Sequence, residues 1–123
     1  MDFSQLSAVA HQVVAAAQRR LPAEVRTAAE RVPVCYEPHP NATLLAEGLE
    51  PDILGMFVGH EHRGELAEGA PLPPQILLFL ENIWDYAETD ESLYRDEVRL
   101  TYLHELGHYL GWDEDEIAQR GLD

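Results

Sequence analysis

Residues 104–108 read His-Glu-Leu-Gly-His and carry the side chains in this chain that are best suited to bind a metal ion. On an α-helix, residues four positions apart lie on one face, with Cβ atoms about 5–6 Å apart. His104 and His108 could therefore bind one tetrahedral zinc ion, whose nitrogen ligands lie at about 2.0–2.1 Å. Glu105 would lie beside the ion without ligating it, placed to accept a proton from the water that the ion activates. The motif predicts zinc-dependent hydrolysis with Glu105 as the general base.

The residues around the motif predict that it lies on a buried helix. Apolar side chains occur around almost the whole helix circumference, at Val98, Leu100, Tyr102, Leu103, Leu106 and Leu110. A helix that is apolar all round is a buried helix. Buried imidazoles and carboxylates need partners, because unpaired buried polar groups are costly, and a metal ion supplies one. The competing interpretation is that both histidines are merely hydrogen-bonded residues of the core or surface.

A third ligand is expected in residues 113–116, which read Asp-Glu-Asp-Glu. The stretch from His104 onwards resembles the pattern H-E-x-x-H-x-x-G-x-x-H of the metzincins, with Glu114 in place of their third histidine. Gly111 would allow the sharp turn that brings a later residue back to the metal ion. Glu114 is therefore the first candidate, although short acidic runs are often only solvated. The alternatives are Asp113, Asp115, Glu116 and a water molecule.

Hydrophobic periodicity predicts the helices that must position these residues. Apolar residues at helical spacing predict an amphipathic helix over residues 3–19, and Pro22 begins a second helix over residues 22–31. A helical turn is expected at residues 81–87 and a last turn at residues 115–120. The motif itself lies on a long helix over residues 91–110, which Thr89 or Asp90 would cap and Gly111 would end.

Three short apolar runs predict strands, at residues 32–36, 53–58 and 75–80. Residues 38–51 and 64–74 are rich in Pro, Gly or Asn and are expected to be loops. The order of elements predicts an α+β fold in which a small sheet packs against helices. The length of 123 residues fits one domain covering residues 1–123.

The composition narrows the class of protein. Hydrophobic residues make up 46% of the chain, enough for a core that needs neither disulfides nor a second subunit, so a monomer is expected. The single cysteine, Cys35, excludes an internal disulfide and weakly favours a reducing compartment. The N-terminal residues lack the features of a signal peptide, so a cytoplasmic protein is expected.

The net charge of −15 argues against nucleic acid as a partner, because it repels phosphate backbones. The same charge either serves solubility or attracts cations and basic peptides. No apolar run is long enough to span a bilayer, and the polar face of the first helix lacks the basic residues of a membrane-surface helix. No membrane partner is therefore expected.

Residues 20–121 resemble the minimal zincin-like metallopeptidases of bacteria. The resemblance rests on the stretches ILGMFVG, QILLFLENIW and HELGHYLGWDEDEI. It implies a reduced zincin core like that of the matrix metalloproteases, with a small mixed sheet beside the active-site helix. It also implies an acidic ligand ten positions after His104, where Glu114 stands and aspartate is expected. Unlike full metzincins, the chain has no methionine turn after the histidines, since its methionines are Met1 and Met56.

These observations predict a zinc metallopeptidase acting on peptides or proteins. By resemblance, an extended substrate would pair with an edge strand beside the active-site helix. The best candidate for this edge strand is residues 75–80, so Gln75, Leu77 and Phe79 are expected to contact the substrate. The missing methionine turn favours an alternative, a non-catalytic metal- or peptide-binding module on a zincin scaffold. His60 and His62 could form a second metal site on a strand, but the glycines that flank them favour an exposed loop.

Overall fold

The computed structural model describes residues 1–59 and 74–120. The elements in chain order are α1 (Phe3–Arg19), α2 (Ala23–Ala29), β1 (Val34–Glu37), α3 (Ala42–Ala46), β2 (Gly55–Val58), β3 (Gln75–Phe79), α4 (Leu80–Tyr86), α5 (Glu91–Tyr109) and α6 (Glu114–Gln119). Helices packed on a small sheet confirm the predicted α+β class. The second metal site considered at His60 and His62 lies outside the described residues.

Helix α1 begins at a capping box and packs its apolar stripe on α5. The Asp2 carboxylate accepts a hydrogen bond from the Gln5 backbone N–H at 2.8 Å, and the Gln5 side chain accepts one from the Asp2 N–H at 2.9 Å. One face of the helix is buried along its length, at Leu6, Ala10, Val14 and Ala17. The predicted bounds of this helix are confirmed.

Two tyrosines connect α5 to α1 through buried hydrogen bonds. The Tyr94 hydroxyl donates to the Leu6 carbonyl oxygen at 2.9 Å, and the Tyr102 hydroxyl accepts from Gln18 Nε2 at 3.0 Å. Both tyrosines are fully buried, so their hydroxyl groups need these partners. They fix α5, the helix that carries the His-Glu-Leu-Gly-His motif, against the rest of the core.

The ends of α5 follow the predicted signals. Of the two proposed caps, Asp90 is the residue that acts, since its carboxylate accepts from the Leu93 N–H at 3.0 Å. Thr89 instead has a φ of 57° and lies in the turn before the helix. At the other end Gly111 has a φ of 81°, the left-handed conformation that commonly stops a helix.

Residues 38–51 are not one continuous loop as predicted, because Ala42–Ala46 form α3. The Asn41 side chain caps this helix by accepting from the Leu44 N–H at 2.9 Å, and Gly48 follows its end with a φ of 97°. The same Asn and Gly residues that suggested a loop thus serve as helix start and stop signals. Helix α2 is also shorter than predicted, beginning after Pro22 and ending at Ala29.

The sheet is mixed, with the strand order β1-β3-β2. Strand β1 runs parallel to β3, and β2 runs antiparallel to it. Strand β3 is therefore the central strand, and its continuous apolar sequence suits a strand buried on both faces. None of the helices that the structure describes is long and apolar enough to cross a lipid bilayer.

The central position of β3 makes the prediction of a substrate-binding edge strand at residues 75–80 wrong. The main-chain groups of β3 already pair with β1 on one side and β2 on the other, so no peptide can add to it. Phe79 is fully buried, and the Gln75 side chain accepts a hydrogen bond from Cys35 Sγ at 3.1 Å. Leu77 lies between its register partners Cys35 and Met56.

Strand β2 lies directly beside α5 because Gly55 has no side chain. A Cβ at Gly55 would meet Thr101 Cγ2 at 2.7 Å, closer than carbon atoms can approach. Further along the strand the Phe57 ring packs edge-on against Tyr109, with ring centroids 5.7 Å apart. Asn82 holds the segment before β2, donating to the Ile53 carbonyl oxygen at 2.9 Å. These contacts bring an edge strand next to the motif helix.

Candidate metal centre

The imidazoles of His104 and His108 point to one place. Their Nε2 atoms are 3.1 Å apart, and the ring planes meet at 82°. Two nitrogen ligands at about 2.0–2.1 Å from a tetrahedral ion would lie about 3.3–3.4 Å apart, so the arrangement fits a shared zinc ion within a few tenths of an ångström. The same separation suits a hydrogen bond between the rings when one Nε2 carries the proton.

Glu105 completes a cluster with the two histidines. One ligand atom from each of His104, Glu105 and His108 lies within 4.8 Å of the others, and all three residues are half-buried. Among the other His, Cys, Asp and Glu residues whose side chains the structure describes, none joins this group. An imidazole pair with a neighbouring carboxylate is a donor set that zinc accepts.

The acidic run after α5 contributes the start of α6. The Asp113 carboxylate caps this helix by accepting from the Glu116 N–H at 2.9 Å, and the Glu116 carboxylate pairs with the Arg120 guanidinium at 3.0 Å. Asp115 is exposed. Asp113 and Glu116 thus have other partners, which disfavours them as ligands. Glu114 is the first residue of α6, and its assignment as third ligand stays a prediction.

Helix α6 can approach the motif because residue 107 is glycine. A Cβ at Gly107 would lie 2.5 Å from Ile117 Cγ1 and 2.7 Å from its Cδ1. Ile117 is fully buried, so this contact fixes α6 against the middle of the His-Glu-Leu-Gly-His motif. The glycine therefore positions the acidic segment from which the third ligand is expected.

We expect Gly107→Ala to destabilise the protein through overpacking against Ile117, and a double-mutant cycle tests this contact. Overpacking costs about 1–3 kcal/mol, and Ile117→Ala alone should cost about 2–5 kcal/mol through the cavity it leaves. The double variant should lose at least about 1 kcal/mol less than the sum of the two single losses, because the smaller side chain at residue 117 leaves room for the Cβ at residue 107. Urea unfolding gives the free energy of unfolding of the wild type, the two single variants and the double variant. Additive losses would show that the two residues do not touch.

An open cavity of about 350 Å³ adjoins the cluster. Its lining is mainly apolar and comes from β2, the segment before it and the middle of α5, at Ile53, Leu54, Gly55, Leu100, Thr101, His104 and Glu105. Of these seven residues, His104 and Glu105 are predicted site residues, and the other five were not predicted from the sequence. Two of these five could have been predicted from helical spacing, because Leu100 and Thr101 precede His104 and Glu105 by one helical turn and so lie on the same face. Nothing local to Gly55 indicated that β2 would be the neighbouring strand.

Strand β2 is an edge strand whose outward groups can be identified from its register. The Phe79 N–H donates to the Leu54 carbonyl oxygen at 2.9 Å, which makes residues 54 and 79 a hydrogen-bonded pair. Such pairs alternate along antiparallel strands, so the main-chain groups of Gly55 and Phe57 point away from β3. In the described ranges no strand pairs with this outer edge of β2.

Tyr109 is the remaining polar side chain close to the motif in sequence. It is 3% exposed, and burial raises the pKa of its hydroxyl. Its ring packs edge-on against Phe57 of β2. It therefore supports β2 through this ring contact.

Comparison with known proteins agrees with the site. The profile of a family described as zincin-like metallopeptidase matches residues 29–122, which include β1, the whole described sheet and the motif helix. A search of curated proteins found no match. The match spans well over half of the chain and contains the His-Glu-His cluster. The chain belongs to the zincin-like metallopeptidase family.

Proposed function

We propose that this protein is a zinc-dependent peptidase in which His104, His108 and Glu114 hold the ion and Glu105 is the general base. The observation that carries the proposal is the convergence of the two Nε2 atoms at 3.1 Å with the Glu105 carboxylate beside them. Membership of the zincin-like metallopeptidase family supports the same chemistry.

The chemistry divides between the ion and the chain. A zinc ion held there would supply a Lewis acid and lower the pKa of water toward about 7. Glu105 would accept the proton of the attacking water and then pass it to the leaving amine. Its half-buried position beside the cavity keeps the carboxylate within reach of a substrate carbonyl in that space.

The substrate that fits is an extended peptide with an apolar side chain. The outward main-chain groups of Gly55 and Phe57 offer hydrogen bonds to an added strand. The cavity between Leu54 and Leu100 lies next to His104 and would receive one apolar side chain of that peptide. Every group used here comes from one chain, so a monomer suffices.

The experiment that tests the function is cleavage of a peptide library by the zinc-loaded protein. We expect cleavage next to leucine or phenylalanine to exceed cleavage next to aspartate, because the cavity is apolar. Leu100→Trp should fill the cavity and lower kcat/KM for the leucine peptides by roughly 10-fold or more. Leu93→Trp is the matched control, since Leu93 is exposed on the same helix, two turns before Leu100, and does not line the cavity. Equal losses in both variants would contradict the role given to the cavity.

A second function, a metal-dependent peptide-binding module without turnover, is favoured by one observation. Full metzincins support the metal site with a methionine turn after the histidines, and this chain has no methionine after Met56. That module would bind the same apolar peptides at β2 in the presence of zinc and leave them uncleaved.

A further inference from the structure

A groove with a cluster of arginines lies between α1 and α5. It has a volume of about 460 Å³. Its lining contains Arg19, Arg20, Arg95 and Arg99, with Gln12, Val13, Ala16, Ala17 and Asp96 between and beside them. Four of the eight arginines of a chain with net charge −15 thus line one groove. We call it the arginine groove.

Most of this positive charge is not neutralised by residues that the structure describes. Arg95 pairs with Glu91 at 3.2 Å, one helical turn away. Among the described residues, Arg19, Arg20 and Arg99 have no ion-pair partner, and Asp96 is the one acidic residue in the lining. The groove therefore presents three guanidinium groups that can bind carboxylates from outside.

The arginine groove is separate from the metal cluster. His104 follows Arg95 by nine residues, which is about two and a half helical turns, so the two side chains leave α5 on opposite sides. His108 has the same relation to Arg99. A molecule bound in the groove would leave the cavity beside Glu105 open.

We propose that the arginine groove binds an acidic segment of a partner protein. Guanidinium groups form paired, charge-assisted hydrogen bonds with carboxylates. The apolar floor formed by Val13, Ala16 and Ala17 suits the methylene groups of glutamate side chains. The net charge of −15 disfavours a long phosphate backbone, which would pass over the negative surface outside the groove. A short acidic segment is affected mainly by the arginines in the groove, because salt screens charges that lie more than about 8 Å away.

The test is the binding of a fluorescent octaglutamate peptide, measured by anisotropy at physiological salt. We expect saturable one-to-one binding to the full chain, with or without zinc, and a Kd that rises with salt. Arg99→Gln and Arg19→Gln should each weaken binding roughly tenfold, through the loss of charge-assisted hydrogen bonds. Arg31→Gln, which removes an exposed arginine outside the groove, is the matched control and should leave the Kd within about twofold.

Circular dichroism melting of each variant shows that it is folded before its Kd is used. Arg99 is half-buried, so Arg99→Gln could lower the melting temperature. In that case Arg20→Gln provides a further groove variant. The proposal is overturned by equal losses in Arg31→Gln and Arg99→Gln, by the absence of saturable binding, or by tighter binding of an octathymidylate than of octaglutamate. Self-association that disappears in Arg99→Gln would also overturn it, since the occupant would then be a second copy.

Discussion

Replacing Glu105 by glutamine should abolish peptide hydrolysis and leave zinc binding intact. Glutamine keeps the size of the side chain and removes the carboxylate that accepts the proton from water. Loss of a general base lowers kcat by about 10²–10⁴-fold. The two imidazoles that would hold the ion are unchanged, because Glu105 lies beside them in the cluster and is not the source of either Nε2. Zinc content and kcat on the best library peptide are the two measurements.

Glu97→Gln is the control for this variant. Glu97 is a half-buried glutamate on the same helix, two turns before His104, and belongs neither to the cluster nor to the cavity lining. We expect the kcat of this variant to stay within about twofold of the wild type, because the carboxylate that it removes is not part of the site. Hydrolysis that persists in Glu105→Gln at the wild-type rate would exclude Glu105 as the base, even if the protein still holds zinc.

Replacing His104 by alanine should remove zinc binding and with it the stabilisation that zinc provides. At zinc concentrations about 100-fold above Kd, binding adds about 2.7 kcal/mol to the free energy of unfolding of the wild type. For a domain of this size that corresponds to a rise in Tm of roughly 10 °C. His104→Ala should show no such rise, because a single imidazole, His108, then remains at the motif.

His11→Ala is the control for nonspecific zinc binding by histidine. His11 is exposed on α1 and is not part of the metal cluster. Its variant should keep the full zinc-dependent rise in Tm. A zinc-dependent rise in His104→Ala equal to that of the wild type would place the ion elsewhere in the chain.

The sequence predicts the motif helix well because its signals are local. The spacing of His104 and His108 places both on one helix face, Asp90 caps the start of α5, and Gly111 permits the left-handed turn at its end. Each of these effects depends on a few neighbouring residues, so it can be read without knowing the rest of the fold. The three strands were also found, to within two residues at each end.

The central position of β3 in the sheet could not be predicted from local signals. An apolar run such as QILLF predicts a strand, but which strands flank it depends on pairing between residues far apart in the chain. The prediction placed this strand at the edge by resemblance, and the structure places β2 there, against α5. The close approach of Gly55 to Thr101 that allows this packing leaves no periodic signal in the sequence.

The most direct test of the metal centre is X-ray absorption at the zinc edge of the zinc-loaded, gel-filtered wild type, with the metal content measured on the same sample. We predict one zinc per chain, with two imidazole nitrogens at about 2.0–2.1 Å and a carboxylate oxygen in the first shell. A sample that loses its zinc on gel filtration, or a spectrum without two imidazole ligands, would contradict the assignment of His104 and His108.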